Sequence, residues 1–347
     1  MKATKTVIGR LEKCYALGVF HYDGMDHIAV AAEKQNACRT FDACGKEIDT
    51  LWEGPGGVMT LAQIPEKPIL LATRKFYSPN DSADASIVYC RKINDAWIVE
   101  TLCRLPFVHR FGILSRGNRH YLIACTLKSA HAFKNDWTCP GRIWVAPLPE
   151  DVTEYSEAHP LQMQPLVSGL TKNHGFTICH EGSDSFAVIA SESGIIRVYP
   201  PESDGGEWIA ERISSMPASD VLYLDFDGDG ERELLVLSPF HGDTLTIHKK
   251  IDGEFREVYR HEKPLPFLHA IWGAAIEGRM YAFIGAREGD RALIALHYDA
   301  QAQRYTFDTL DQGAGPANVL YYRADDRFLL FAANRETDEI AMYELNI

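Results

Sequence analysis

Seven short, very apolar segments recur along this chain, beginning at His27, Pro68, Tyr121, Phe186, Leu234, Tyr281 and Phe328, and each runs out into polar or charged residues. A run such as Tyr121-Leu-Ile-Ala-Cys-Thr-Leu shows no polar alternation, so a strand made from it must be covered on both faces. Gly, Pro, Asn and Asp separate the runs, and no long amphipathic helix interrupts them, which is an all-β signature. Seven repeats that each bury one strand between neighbours describe a seven-bladed β-propeller, a single domain over residues 1–347. The last repeat runs only to a third strand, Ile340 to Leu345, whereas Thr6 to Leu11 reads as a strand with no repeat of its own. The N-terminal strand is therefore expected to complete the last blade and remove its exposed edge.

The formal net charge of −13 excludes nucleic acid and anionic membrane surfaces as natural partners, since both reward a surplus of Lys and Arg. The N-terminal residues lack the apolar core and cleavage site of a secretory signal, and no apolar stretch is long enough to span a bilayer. The eight cysteines are scattered without C-x-x-C spacing, mostly inside apolar strands. That pattern points to reduced thiols in a cytoplasm rather than to a disulfide framework.

Aligned on the opening residue of each first strand, the repeats begin at Leu17, Gly57, His109, His174, Asp220, His269 and Asn318. In a propeller these positions stand beside the central channel. A histidine capping a turn is ordinary when alone, but three at one level form a metal-ligand set. Neutral imidazoles with an open coordination position suit catalytic zinc among the transition metals, with His109, His174 and His269 as ligands and Asp220 as a fourth ligand or a carboxylate behind them. The ends of the second strands lie on the same face and bring Arg74, Lys75, Lys128, Glu192, His241, Arg287, Asn334 and Arg335. Arg74, Lys75, Lys128, Arg287, Asn334 and Arg335 suit an anionic or oxygen-rich ligand, and His241 and Glu192 are the candidate proton-transfer groups. The long insertion from Lys128 to Arg142 reads as a lid over the mouth or as a solvent-exposed blade loop.

One loop has chemistry of its own. Asp225-Phe-Asp-Gly-Asp-Gly-Glu-Arg-Glu233 places acidic residues at its first, third, fifth and ninth positions and a glycine at the sixth. This spacing wraps the carboxylates of Asp225, Asp227, Asp229 and Glu233 around a hard cation, Ca²⁺ or Mg²⁺, and the glycine permits the sharp turn. It joins two strands of one blade, on the face opposite the histidines, so it reads as a structural staple.

The stretch from Leu224 through Asp225-Phe-Asp-Gly-Asp-Gly to Ser238-Pro-Phe-His-Gly resembles FG-GAP/VCBS-type propellers, and more narrowly the propeller part of the aldos-2-ulose dehydratase family. Phe267-Leu-His-Ala-Ile-Trp-Gly and Gly315-Pro-Ala-Asn-Val-Leu-Tyr support the likeness. The resemblance implies a metal-dependent lyase that eliminates water from a keto-sugar such as 1,5-anhydrofructose or a related carbohydrate. The chain departs from that family by ending at the last blade, without the cupin domains. A different class of function also fits the sequence: a non-catalytic propeller that binds a glycan or a partner protein at its charged mouth. G-x-S-x-G, P-loop and Rossmann fingerprints are absent from the sequence, which leaves serine-hydrolase, nucleotide-hydrolase and dehydrogenase chemistry without support.

Overall fold

The computed structural model describes residues 1–34, 37–203 and 205–347. The described residues form seven four-stranded antiparallel sheets, the blades of a seven-bladed β-propeller. After β1 (Lys2–Arg10), blade 1 comprises β2 (Cys14–Tyr22), β3 (Met25–Ala32), β4 (Cys38–Phe41) and β5 (Glu47–Trp52). Blade 2 is β6 (Leu61–Gln63), β7 (Leu70–Arg74), β8 (Ser86–Ile93) and β9 (Ala96–Arg104), and blade 3 is β10 (Val108–Arg116), β11 (Arg119–Lys128), β12 (Pro140–Pro147) and β13 (Gln164–Leu170). Blade 4 follows as β14 (Gly175–Glu181), β15 (Asp184–Ser191), β16 (Gly194–Tyr199) and β17 (Ile209–Ser214), and blade 5 as β18 (Asp220–Leu224), β19 (Glu233–Leu237), β20 (Leu245–Ile251) and β21 (Glu254–Arg260). Blade 6 is β22 (Leu268–Ile276), β23 (Arg279–Ala286), β24 (Leu293–Asp299) and β25 (Arg304–Asp311), and blade 7 is β26 (Asn318–Ala324), β27 (Arg327–Asn334) and β28 (Glu339–Asn346), completed by β1. No helix among the described residues is long and apolar enough to cross a membrane.

Each blade uses its strands as their composition dictates. The second strands are the most apolar, and residues such as Leu122 to Cys125 and Leu329 to Ala333 are completely buried. The fourth strands, such as β21 with only two partly covered residues, form polar outer edges. Tight hairpins join first to second strands where Asp23-Gly24 and Glu277-Gly278 take positive φ, the backbone twist a two-residue hairpin requires. Blade 2 departs from the expected register. Its first strand does not open at Gly57 but spans only Leu61–Gln63, because Met59 and Thr60 donate their amides to the Thr73 hydroxyl (2.6 and 3.1 Å).

The chain divides into two compact units, Met1–Leu17 with Ala218–Ile347, and Gly18–Pro217. In the first, Leu222, Leu235, Leu245 and Ile247 of blade 5 pack on Leu268, Ala282, Ile284 and Ile294 of blade 6. Tyr281, Phe283 and Leu293 of blade 6 pack in turn on Leu330, Tyr343 and Leu345 of blade 7. In the second, Leu114, Ile123, Ile143 and Val145 of blade 3 meet Ala187, Ile189, Ile196 and Val198 of blade 4. Full burial of each large apolar side chain contributes on the order of 1.5–3 kcal/mol, so these sheet-to-sheet layers are the main source of stability. The expected closure is present. Strand β1 pairs antiparallel with β28 from Lys2 opposite Asn346 to Arg10 opposite Glu339, with one bulge between Val7 and Gly9.

Candidate functional site

Two of the three histidines singled out by the repeats are placed by the same backbone device. In Pro106-Phe-Val-His109 and Pro266-Phe-Leu-His269 the phenylalanine has positive φ (64° and 58°), and the ladder skips a residue at the histidine, between Val108 and Arg110 and between Leu268 and Ala270. A bulge of this kind re-aims a side chain out of the strand's alternation, and a bulky residue at positive φ is a strained choice that the surroundings must enforce. The cost is on the order of 1–3 kcal/mol per residue, and it recurs at equivalent points in two blades.

Within the unit formed by Met1–Leu17 and Ala218–Ile347, His269 is 2% exposed and bonded at both ring nitrogens. Its Nδ1 lies 2.6 Å from the Ala317 carbonyl, which can only accept, so Nδ1 carries the hydrogen. The neutral ring then presents the Nε2 lone pair, and the Tyr15 hydroxyl donates to it at 2.9 Å. The Asn318 side-chain amide donates to the Tyr15 carbonyl at 2.8 Å and fixes the segment that carries the phenol. His241 stands beside them, its ring centroid 5.1 Å from that of His269. It lies between Phe240 (4.0 Å) and Phe267 (4.4 Å), and its own φ is +57°. The Arg287 guanidinium caps the Phe267 ring at 4.5 Å.

Arg287 donates two hydrogen bonds to one Glu336 oxygen (2.8 and 2.6 Å), and Arg335 donates a third to the same oxygen (2.8 Å). Burial works to raise the Glu336 carboxyl, but the bonds and charges of the two arginines outweigh it and hold the group below its ordinary value. Two guanidiniums against one carboxylate leave a positive charge that suits an oxygen-rich ligand. Asp220 is buried and accepts the Val221 amide at 3.0 Å. Asn334 is fully buried and donates to the Tyr343 hydroxyl at 3.1 Å, which in turn donates to Asp311 at 2.7 Å.

Within Gly18–Pro217, His109 and His174 are both buried with ring centroids 4.5 Å apart, and Phe76 meets His109 edge-on at 5.0 Å. Lys128 does not reach a ligand-facing surface. Its ammonium is buried, donates to the Asp136 carbonyl at 2.8 Å and lies 4.1 Å from the centre of the Trp137 ring. It clamps the insertion that reads as a lid, and Asn80 and Asn135 pin the same loop with two reciprocal bonds (3.0 and 2.8 Å). Glu192 is salt-bridged to Lys172 at 2.7 Å. Arg74 and Lys75 line a cavity of about 800 Å³ at the edge of blade 2, together with Arg104, Glu100 and Glu157. In it Glu157 is already held by Thr101 and Arg104.

The acidic loop gathers as its spacing predicts: ligand oxygens of Asp225, Asp227, Asp229 and Glu233 all lie within 4.8 Å of one another, a group able to hold a metal ion. Asp225 also accepts the amides of Gly228 (2.7 Å) and Gly230 (2.9 Å). Burial raises the pKa of Glu233, whose second oxygen accepts the Phe226 amide at 2.7 Å. A residue from the third strand of the blade enters the same group. The Lys249 ammonium lies 2.5 Å from Asp227, 2.5 Å from Asp229 and 3.5 Å from Glu233.

Tyr15, Glu336 and Lys249 are the participants that sequence reasoning missed. For Tyr15 a signal existed. Strand β2 opens at Cys14, three residues before the expected Leu17, and its second residue is Tyr15, just as His109 and His269 are the second residues of β10 and β22.

No protein-family model and no curated protein sequence matches the chain. Solved structures do. The chain is similar to virginiamycin B lyase from Staphylococcus aureus, with a TM-score of 0.63 and 15% identity over 99% of each chain. It is also similar to the β-propeller domain of Cps50 (Swd1) from Myceliophteria thermophila, with a TM-score of 0.61 and 12% identity over 99% of this chain and 100% of that one. At these identities the likeness shows the seven-bladed propeller fold.

Proposed function

We propose that the protein is a lyase that eliminates water from a keto-sugar such as 1,5-anhydrofructose or a related carbohydrate, with His241 and Tyr15 moving the protons and His269 orienting the phenol. The observation that carries this reading is the line from Tyr15 through His269 to the Ala317 carbonyl, beside His241. One imidazole is locked with its basic nitrogen toward a phenol, and a second, partly buried imidazole lies within a substrate's width of it. The lyase name of one structural neighbour agrees with it.

In the proposed step His241 takes the proton on the carbon next to the keto group. The C–H electron pair forms the new C=C bond as the C–O bond at the next carbon breaks, and Tyr15 delivers the proton that turns the departing hydroxide into water. The protonated His241 then returns its proton through solvent to the Tyr15 phenolate, while the Nε2 lone pair of His269 orients the phenol by accepting its hydrogen bond. Arg287 and Arg335, with one positive charge between them after Glu336 is counted, hold the sugar oxygens and steady the enolate. The repeated histidines His109, His174 and His269, with Asp220, would be the ligands of a transition metal, zinc first, which when bound would polarise the keto group. The Nδ1–H bond of His269 to a backbone carbonyl is the outer contact a ligating histidine commonly makes, and an ion would take the Nε2 lone pair in place of the Tyr15 hydroxyl. Six buried cysteines that form no disulfide among the described residues suit a cytoplasmic location.

The test is enone absorbance on incubation with keto-sugars, for the wild type and for His241→Ala, His269→Ala and Tyr15→Phe, beside elemental analysis of the purified chain. Loss of about 10²-fold or more in kcat is expected for each variant. Full activity in His269→Ala with an intact fold would remove the role given to the Tyr15–His269 pair. No turnover by wild type loaded with zinc would favour a non-catalytic glycan- or protein-binding propeller.

A further inference from the structure

We propose that Lys249 is the resident cation of the Asp225–Glu233 loop, so that this loop staples its blade without a metal ion. The inference is independent of the lyase reading. The acidic spacing calls for Ca²⁺, which needs six to eight oxygens at 2.3–2.6 Å. In this chain the Lys249 ammonium stands 2.5 Å from one oxygen of Asp227 and 2.5 Å from one oxygen of Asp229, with a Glu233 oxygen at 3.5 Å. An ion and an ammonium cannot share that place.

The remaining acceptors are turned to the backbone. Asp225 takes the amides of Gly228 and Gly230, Asp227 that of Asp229 (3.3 Å), Asp229 that of Glu231 (2.9 Å), and Glu233 that of Phe226. The outer oxygen of Glu233 is the exception. Glu233 is fully buried, and this oxygen accepts no hydrogen bond among the described residues, so the Lys249 charge is the nearest compensation it has. Lys249 reaches the loop from β20, directly beside the strand that carries Glu233, so one side chain ties the loop between the first two strands to the third. Binding of Ca²⁺ then requires that Lys249 be expelled, and the ion contributes nothing to stability until it is concentrated enough to do so.

Thermal melts of the whole chain in chelator and in millimolar Ca²⁺ decide the matter, for the wild type, Lys249→Met and Lys249→Arg. The wild type is expected to melt at the same temperature in both, and Lys249→Arg to behave like it. Lys249→Met, with four carboxylates and no cation, should melt about 5 °C or more lower in chelator and recover in Ca²⁺. A wild-type melting temperature that falls in chelator would overturn the proposal, as would a Lys249→Met protein that is as stable as wild type and indifferent to Ca²⁺. If Lys249→Met does not fold in chelator but folds when refolded in Ca²⁺, the proposal stands; if it folds in neither, the wild-type comparison decides.

Discussion

The proton on His269 is assigned by an atom that touches no substrate. The Ala317 carbonyl takes Nδ1–H, and the lone pair is thereby turned to Tyr15. Tyr15→Phe keeps the ring but leaves Nε2 buried with a lost donor, so a destabilisation of about 1–3 kcal/mol is expected in denaturant melts. A loss no larger than that, combined with a large loss of activity, separates chemistry from folding. Gly57 gives a sharper residue-scale expectation. At φ +76° its missing Cβ would stand 2.3 Å from the Phe76 amide nitrogen, a backbone atom that cannot step aside. Gly57→Ala should therefore cost about 3 kcal/mol or more in the denaturant midpoint. His109 and His269 were legible because Pro-Phe-x-His is spelled twice. Tyr15 was not, since its residue type breaks the pattern and the apolar Leu17-Gly-Val-Phe drew the register three residues onward. Lys249 was invisible for another reason: it comes from a different strand, and only the folded blade brings it to the loop.

Among the elements, the second strands were readable because burial on both faces leaves them continuously apolar. The insertion after β11 carried no such signal about its fastening. Its anchor is Asp136, whose carboxyl is held down to about 2, from an ordinary 3.8, by the Thr138 hydroxyl and by the amides of Ala132 and Thr138. A carboxyl depressed in the folded state lends stability above its ordinary value and withdraws it as the pH falls through the folded one. The loop is thus expected to stay closed at neutral pH and to loosen between about pH 4 and pH 2, in the window set by those two values. Trp137, stacked over the Lys128 and Lys172 ammonium groups, supplies the fluorescence that reads it. Asp136→Ala should show the loosened signal already at pH 7. The segment between β12 and β13 was equally silent in the sequence, with no apolar period. Its fastening to blade 2 is a set of single bonds, among them Leu161 to the Leu102 carbonyl at 2.7 Å and the Tyr89 hydroxyl to the Tyr155 carbonyl at 3.1 Å.

For the molecule as a whole, blade 7 is the point of vulnerability, because one of its four strands precedes everything else in the chain. Removing residues 1–11 should uncover β28 as a bare edge beside buried Ala341, Tyr343 and Leu345. Light scattering is expected to show self-association, and an unchanged monomer with wild-type melting would contradict the role given to β1. The sequence announced this closure through an unrepeated strand, yet it did not announce that the chain divides into two compact units. The proposal of one domain predicts a single calorimetric transition, with two resolved transitions as the contrary result.

The pairing of β1 with β28 also sets a timetable for synthesis. At ordinary ribosomal speeds the first strand is finished some tens of seconds before its partner is made. During that interval it must wait unpaired in a crowded cell. Its composition suits the delay, since Lys2, Thr4, Lys5 and Thr6 keep most of it polar and it buries none of its residues completely even when paired. A sticky strand in that position would offer every nascent chain a wrong partner; this one can afford to arrive early.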